Sequence, residues 1–214
     1  MENSGKSLFA GIVFTAAVIT GIAPVAADGM EGRIMTVAGP IDPETAGVAL
    51  THEHVFLDYA LPMDRPDLWA SAGLSYPETP EKMALWERKY GPVLNHRLWA
   101  GWPANRDALI LDDYETVKAE LVALREAGGQ TLVDVTPKNM GGDPGRLLRI
   151  SKETGLNIVM GTGWYQNEWM PGTIATRTID DLAGEMIRDI TVGVGDTGIR
   201  AGIIGEIGAE SHPP

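Results

Sequence analysis

The stretch "VALTHEHVF", residues 48–56, sets two histidines one residue apart inside an apolar run. On an extended strand alternate side chains share a face, so His52 and His54 are expected to point the same way as Leu50 and Phe56, with Glu53 on the other side. Two neutral imidazoles converging on one interior spot each need a hydrogen-bond partner, and a divalent cation offers a common one. An isolated His-x-His fits an incidental pair at a surface strand end as well, so the surrounding residues must decide. The chain has no cysteine, which leaves only His, Asp and Glu to hold a metal and rules out disulfides and a thiolate nucleophile. Beyond this pair the histidines are His96 and His212.

Short apolar runs and amphipathic segments alternate along the chain in a way that would position such a pair. The candidate strands are Val48 to Phe56, Thr131 to Thr136, Asn157 to Gly163 and Arg200 to Ile207; their near-continuous hydrophobicity reads as strands covered on both faces, as in parallel sheets. In "LDDYETVKAELVALREAGG", Asp112 followed by Glu115 makes a capping pattern, Val117, Leu121 and Leu124 form one stripe, and Gly128 closes the helix. Asp143 with Pro144 opens a second helix that ends at Gly155. Thr178 and Asp181 cap a third, whose Leu182, Met186 and Ile190 stripe leads into "RAGIIGEIG". Repeated βα steps predict a parallel α/β architecture.

Hydrophobic residues make up 44% of the 214, enough for one core, and the net charge of −12 disfavours nucleic acid and anionic membrane surfaces as partners. Residues 1–27 read as a signal peptide: Lys6 supplies a modest basic region, Leu8 to Ile22 is apolar, and Val25-Ala26-Ala27 offers small residues for cleavage after Ala27. A retained membrane anchor is the alternative, since Glu2 weakens the basic region. Export places residues 28–214 in the periplasm or outside the cell, with no membrane contact after cleavage.

The surroundings of the histidine pair carry more information. "GRIMTVAGPIDPETAGVALTHEHVF" resembles the N-terminal signature of the phosphotriesterase family of the amidohydrolase superfamily, in which a short β-hairpin precedes a first barrel strand ending in Thr-His-Glu-His. "AGGQTLVDVTP", "LLRISKETGLNIVMGTGWY" and "GVGDTGIRAGIIGEIG" are similar to successive family blocks in the family's order, so the likeness runs from Gly32 to Gly208. The resemblance implies a (β/α)8 TIM barrel of the amidohydrolase type with a binuclear metal centre, zinc by expectation. It implies that His52 and His54 bind the more buried metal and that Glu206, ending the fourth strand, supplies the bridging carboxylate where many members carry a carboxylated lysine. Trp164 and Tyr165, just after the third strand, match positions that wall the substrate pocket, although ordinary loop packing explains them equally well. One departure is Gly142 in "NMGGDP", where the family usually has an arginine; its absence bears on loop packing more than on metal chemistry. His96, in the Trp- and Pro-rich segment between Asp58 and Asp112, reads as structural.

The chemistry so implied is metal-assisted hydrolysis of small-molecule esters, namely organophosphate triesters, lactones or related carboxyl esters, with amides a less favoured option. Two cations ~3.5–4 Å apart would activate a water and polarise the oxygen under attack. A complete barrel needs eight strands and about 250 residues, whereas four candidate strands occupy these 214 residues. The expectation is therefore a barrel truncated after about four βα units. On that expectation the two histidines and the aspartate that the family draws from strands five, six and eight fall outside these 214 residues, and His212, just past strand four, is not at a matching position. Such a half-barrel is expected to hold at most one metal weakly, to show little or no hydrolysis, and to be marginal or to form a homodimer through its open edge. The rival reading is a catalytically inactive half-barrel that acts as a binding or interaction module.

Overall fold

The computed structural model describes residues 30–71, 74–90, 105–166 and 174–208. The signal-peptide reading of residues 1–27, His96 and His212 fall outside the described residues. The described chain opens on an antiparallel hairpin of β1 (Ile34–Thr36) and β2 (Gly39–Ile41), as the hairpin expectation required. Strand β3 (Val48–Glu53) follows, and the chain then leaves the sheet for a cap. The cap begins at β4 (Leu57–Asp58), runs through α1 (Pro66–Ser71), α2 (Pro80–Trp86) and α3 (Arg106–Leu109), and returns at β5 (Ile110–Leu111), which pairs antiparallel with β4.

From there the βα alternation is regular: α4 (Tyr114–Glu126), β6 (Gly129–Asp134), α5 (Pro144–Thr154), β7 (Asn157–Thr162), α6 (Ile179–Thr191) and β8 (Ile203–Ile204). The parallel strands lie side by side in the order β3-β6-β7-β8, with Leu50 opposite Leu132, Asp134 opposite Met160 and Gly161 opposite Ile203. This curled four-stranded sheet, its successive parallel strands joined through helices, is a half-barrel of the TIM type.

The main core lies between sheet and helices. Leu121 of α4, Leu147 and Ile150 of α5, and Leu132, Ile158 and Met160 of the strands are buried together, with Val117, Leu124 and Ile190 packed against them. Local chemistry explains the helix limits. The Asp143 carboxylate accepts from the Arg146 amide, and Gly155 turns left-handed at φ 71° to end α5. At α6, Thr178 and Asp181 exchange hydrogen bonds as a complete capping box.

Three expectations are corrected. The cap of α4 is Asp113, not Asp112: its carboxylate accepts from the Thr116 amide at 2.7 Å, so the helix starts one residue later and Glu115 falls in its first turn. Strand β3 is not covered on both faces: Val48 is 65% exposed and Leu50 39%, and β6 is its only ladder partner among the described residues, so one edge is open as well. Phe56 does not share a face with the histidines. The strand ends at Glu53, and Phe56 turns into the helix-side core, stacked on Tyr114 and under the Arg146 guanidinium at 3.8 Å.

The cap has its own aromatic core. Trp69 and Trp86 meet edge to face at 4.9 Å, and Tyr76 meets Trp69 at 5.6 Å. Leu61 and Leu68 are buried with them.

Candidate metal centre

The elements that end at the mouth of the sheet build the site. His52 lies on β3 and His54 just past its end. Glu206 comes from the other edge of the sheet, and main-chain bonds carry it across: Gly205 N–H donates to Thr162 O at 2.8 Å and Glu206 N–H to Val135 O at 3.0 Å. The chain after β8 thus crosses over β7 toward β6. Gly161 makes the crossing sterically allowed, since any Cβ there would collide with the Gly205 carbonyl oxygen.

The result is a cluster of His52, His54 and Glu206 whose ligand atoms all lie within 4.8 Å of one another. His52 Nε2 stands 3.2 Å from Glu206 Oε2, and His54 Nε2 stands 3.9 Å from Glu206 Oε1. The two rings meet edge on, 5.9 Å apart and inclined by 76°. His52 is 65% exposed, whereas His54 and Glu206 are at 25% and 21%. One member therefore faces solvent and two sit in the mouth.

The donor set fits a divalent cation. Two imidazole nitrogens and a carboxylate are ligands that zinc accepts, and ligands ~2.0–2.1 Å from a tetrahedral ion stand roughly 3.3–3.4 Å apart. The His52–Glu206 separation of 3.2 Å already matches, the His54–Glu206 gap is 3.9 Å to the other carboxylate oxygen, and the group as a whole spans up to 4.8 Å, so the side chains must draw in by up to roughly 1.5 Å around one ion. Three protein ligands also leave a coordination position open.

Beside the cluster lies a cavity of about 400 Å³ lined by His54, Glu206, Leu57, Tyr59, Leu109, Met140 and Tyr165, among others. That is the size of a small-molecule pocket, with an apolar side at Leu57, Leu109 and Met140 and a polar side at His54 and Glu206. Tyr165 also meets Tyr59 of the cap edge to face at 6.0 Å, and its amide donates to Asn139 Oδ1 at 3.2 Å. Trp164 sits differently. It is not among the lining residues, and the Arg177 guanidinium lies 4.8 Å over its ring. Arg177 in turn pairs with Glu185, whose pKa is lowered despite burial by the Lys138 and Arg177 cations beside it. Gly142, where an arginine was expected, has no room for any side chain, because a Cβ there would meet the Thr136 carbonyl oxygen.

The sequence reading missed Asp134 and Thr136, which stand directly behind His54. His54 Nδ1 is 3.0 Å from Thr136 Oγ1, and the Thr136 hydroxyl and amide both contact Asp134 Oδ1, at 2.5 and 3.0 Å. Asp134 is 1% exposed, and burial raises its pKa against the opposing pull of the Thr136 donors. The available signal was a carboxylate inside the apolar run "TLVDVTP".

Residues 32–213 match the model of a family described as the phosphotriesterase family. Among curated proteins, an N-acetyltaurine hydrolase of Dictyostelium discoideum is 31% identical over 188 residues, covering 83% of this chain and 50% of that protein. Among solved structures, a resiniferatoxin-binding protein from Rhodobacter sphaeroides matches with 36% identity and a TM-score of 0.70 over 83% of this chain and 46% of the other. The organophosphorus hydrolase from Deinococcus radiodurans shares the fold at a TM-score of 0.52, with 24% identity over 81% of this chain and 43% of its own. The chain spans about half the length of the curated relatives it matches.

Proposed function

The chain belongs to the phosphotriesterase family, and from that premise we propose that it is the N-terminal part of a metal-dependent hydrolase of small-molecule esters, organophosphate or lactone in type. The observation that carries the reading is the convergence of His52, His54 and Glu206 from opposite edges of one sheet beside a small-molecule cavity. These three residues would hold a divalent cation, zinc by its preference for such ligands. When bound, that ion supplies an activated nucleophile and polarises the bond under attack.

The chain's own residues do the rest. Glu206 presents two carboxylate oxygens, one toward each imidazole, which suits a bridging role in a site completed by further ligands. Leu57, Leu109 and Met140 give the cavity an apolar wall that excludes water from the aryl or acyl part of a substrate, and Tyr165 offers a ring face to the same group. Trp164 lies outside the cavity lining, under the Arg177 guanidinium.

A second reading has specific support: several relatives, from Dictyostelium discoideum to Bos taurus, are named N-acetyltaurine hydrolase, which makes an N-acyl amide an alternative substrate. The assay is the protein purified from its natural host, zinc-loaded, against an aryl phosphotriester, a γ-lactone and N-acetyltaurine. Chelator-sensitive turnover of either ester supports the first reading. Turnover of N-acetyltaurine alone selects the second; no zinc-dependent turnover of any of the three contradicts both where the purified protein has its relatives' full length, and favours the inactive binding module where it has only these 214 residues. Export belongs to the same proposal; a mature protein that begins at Asp28 on N-terminal sequencing supports it, and one retaining Met1 contradicts it.

A further inference from the structure

The direction of the hydrogen bonds behind His54 decides which of its nitrogens carries the proton. Asp134 Oδ1 accepts the Thr136 amide at 3.0 Å and lies 2.5 Å from the Thr136 hydroxyl oxygen. A hydroxyl has one proton, and an oxygen already accepting an amide is the acceptor in that short contact, so the Thr136 O–H donates to Asp134. Thr136 Oγ1 is left with lone pairs toward His54 Nδ1, 3.0 Å away, and the imidazole must be the donor there. A proton taken up by Asp134 would go to Oδ2, which is buried and has no hydrogen-bond partner, and Oδ1 would remain an acceptor.

We propose that Asp134 and Thr136 form a positioning pair that holds the proton of neutral His54 on Nδ1 and turns its Nε2 lone pair toward Glu206, making His54 a pre-oriented metal ligand. The metal part of this rests on the reading given above; the tautomer does not. His54 Nε2 and Glu206 Oε1, 3.9 Å apart, then face one another as two acceptors, an arrangement that a cation between them reconciles. Burial gives the pair its rigidity: Asp134, at the end of β6, is 1% exposed, and Thr136, two residues on, is 2% exposed. His52 has no comparable partner among the hydrogen bonds of the described residues and is 65% exposed, so His54 is the anchored ligand and His52 the adjustable one.

The test is long-range proton–nitrogen correlation spectroscopy on the nitrogen-15-labelled, chelator-treated chain at a pH where imidazoles are neutral, with His54→Ala assigning the resonances. The expected result is a protonated Nδ1 and a bare Nε2 at His54 in the wild type. Thr136→Val is expected to move the proton to Nε2 and to weaken zinc binding about 10- to 100-fold, and Thr136→Ser to restore both. A wild-type His54 protonated on Nε2 overturns the proposal, as does a Thr136→Val chain with unchanged tautomer and zinc affinity. Should Thr136→Val not fold, the wild-type spectrum decides alone. Zinc binding indifferent to His52→Ala, His54→Ala and Glu206→Gln would defeat the metal reading while leaving the tautomer result standing.

Discussion

The helix-backed sheet and the cap over its mouth reach similar burial by different means. In the sheet layer, Leu121, Leu147, Ile150 and Ile158 come from regular elements whose main-chain groups satisfy one another. In the cap, between β4 and β5, side chains join the main chain as donors to its carbonyls. Trp69 Nε1–H donates to Pro62 O at 3.0 Å, the Tyr76 hydroxyl to Met63 O at 3.0 Å, and Asn105 Nδ2–H to Leu85 O and Arg88 O, both at 2.7 Å. An irregular segment needs polar aromatic and amide side chains where a regular one needs only leucine and isoleucine. The cap carries Leu57, Tyr59 and Leu109 to the cavity.

Breaking each region separately sharpens the contrast. Trp69→Ala removes a fully buried indole and is expected to cost about 3–5 kcal/mol within the cap. Hydrogen exchange should then show cap amides opening while those of β6 and β7 stay protected; equal loss in both would make the two regions one cooperative unit. Ile150→Ala, in the layer, is expected to cost about 2–5 kcal/mol, read as a lower denaturation midpoint with all probes moving together. Asn105→Ala takes the side-chain donor from the Arg88 carbonyl, one of several donors from the Leu85 carbonyl, and the side-chain cap from the Ala108 amide, for about 1–3 kcal/mol confined to the cap. Thr178→Ala removes half of the capping box of α6 and should cost about 1 kcal/mol by denaturant titration.

The smallest effect is electrostatic. Glu153 on α5 pairs with Lys118 of α4 at 2.6 Å and with Arg149 of its own helix at 2.8 Å, and these cations hold its pKa at about 2 rather than the ordinary 4.5. A depressed carboxylate contributes stability that is present above pH 4.5 and is lost as pH falls through 2. Glu153→Gln should therefore flatten the stability–pH curve between those values and leave it unchanged in shape near neutrality.

Reading the layer from sequence succeeded where periodicity and capping chemistry coincide: Asp143 with Pro144, Gly155, and Thr178 with Asp181 stand where their residue types place them. It erred by one residue at Asp112, because two adjacent aspartates offer the same cap and only the Thr116 amide distinguishes them. The cap core was illegible. Trp69, Tyr76 and Trp86 follow no helical or strand period, and what unites them is a fold-back that leaves no pattern in the chain. At the site, the His52–His54 spacing was visible in the strand itself, whereas Glu206 was reached only through family resemblance. Its approach to β3 depends on a main-chain crossing over β7 that a two-residue β8 cannot announce. Asp189 shows the same limit. It is 1% exposed on α6, held by the Thr162 hydroxyl at 2.7 Å and by Lys138 at 3.2 Å, in a helix of which only the cap and the apolar stripe were legible.

The most direct measurement of the central claim is X-ray absorption at the zinc edge on the metal-loaded chain, with the same spectrum for the His52→Ala, His54→Ala double variant. The account predicts one ion with scattering from two imidazoles and a carboxylate oxygen at about 2.0–2.2 Å, and loss of both the imidazole signal and the ion in the variant. An all-oxygen shell, or a spectrum that survives removal of both histidines, would contradict it.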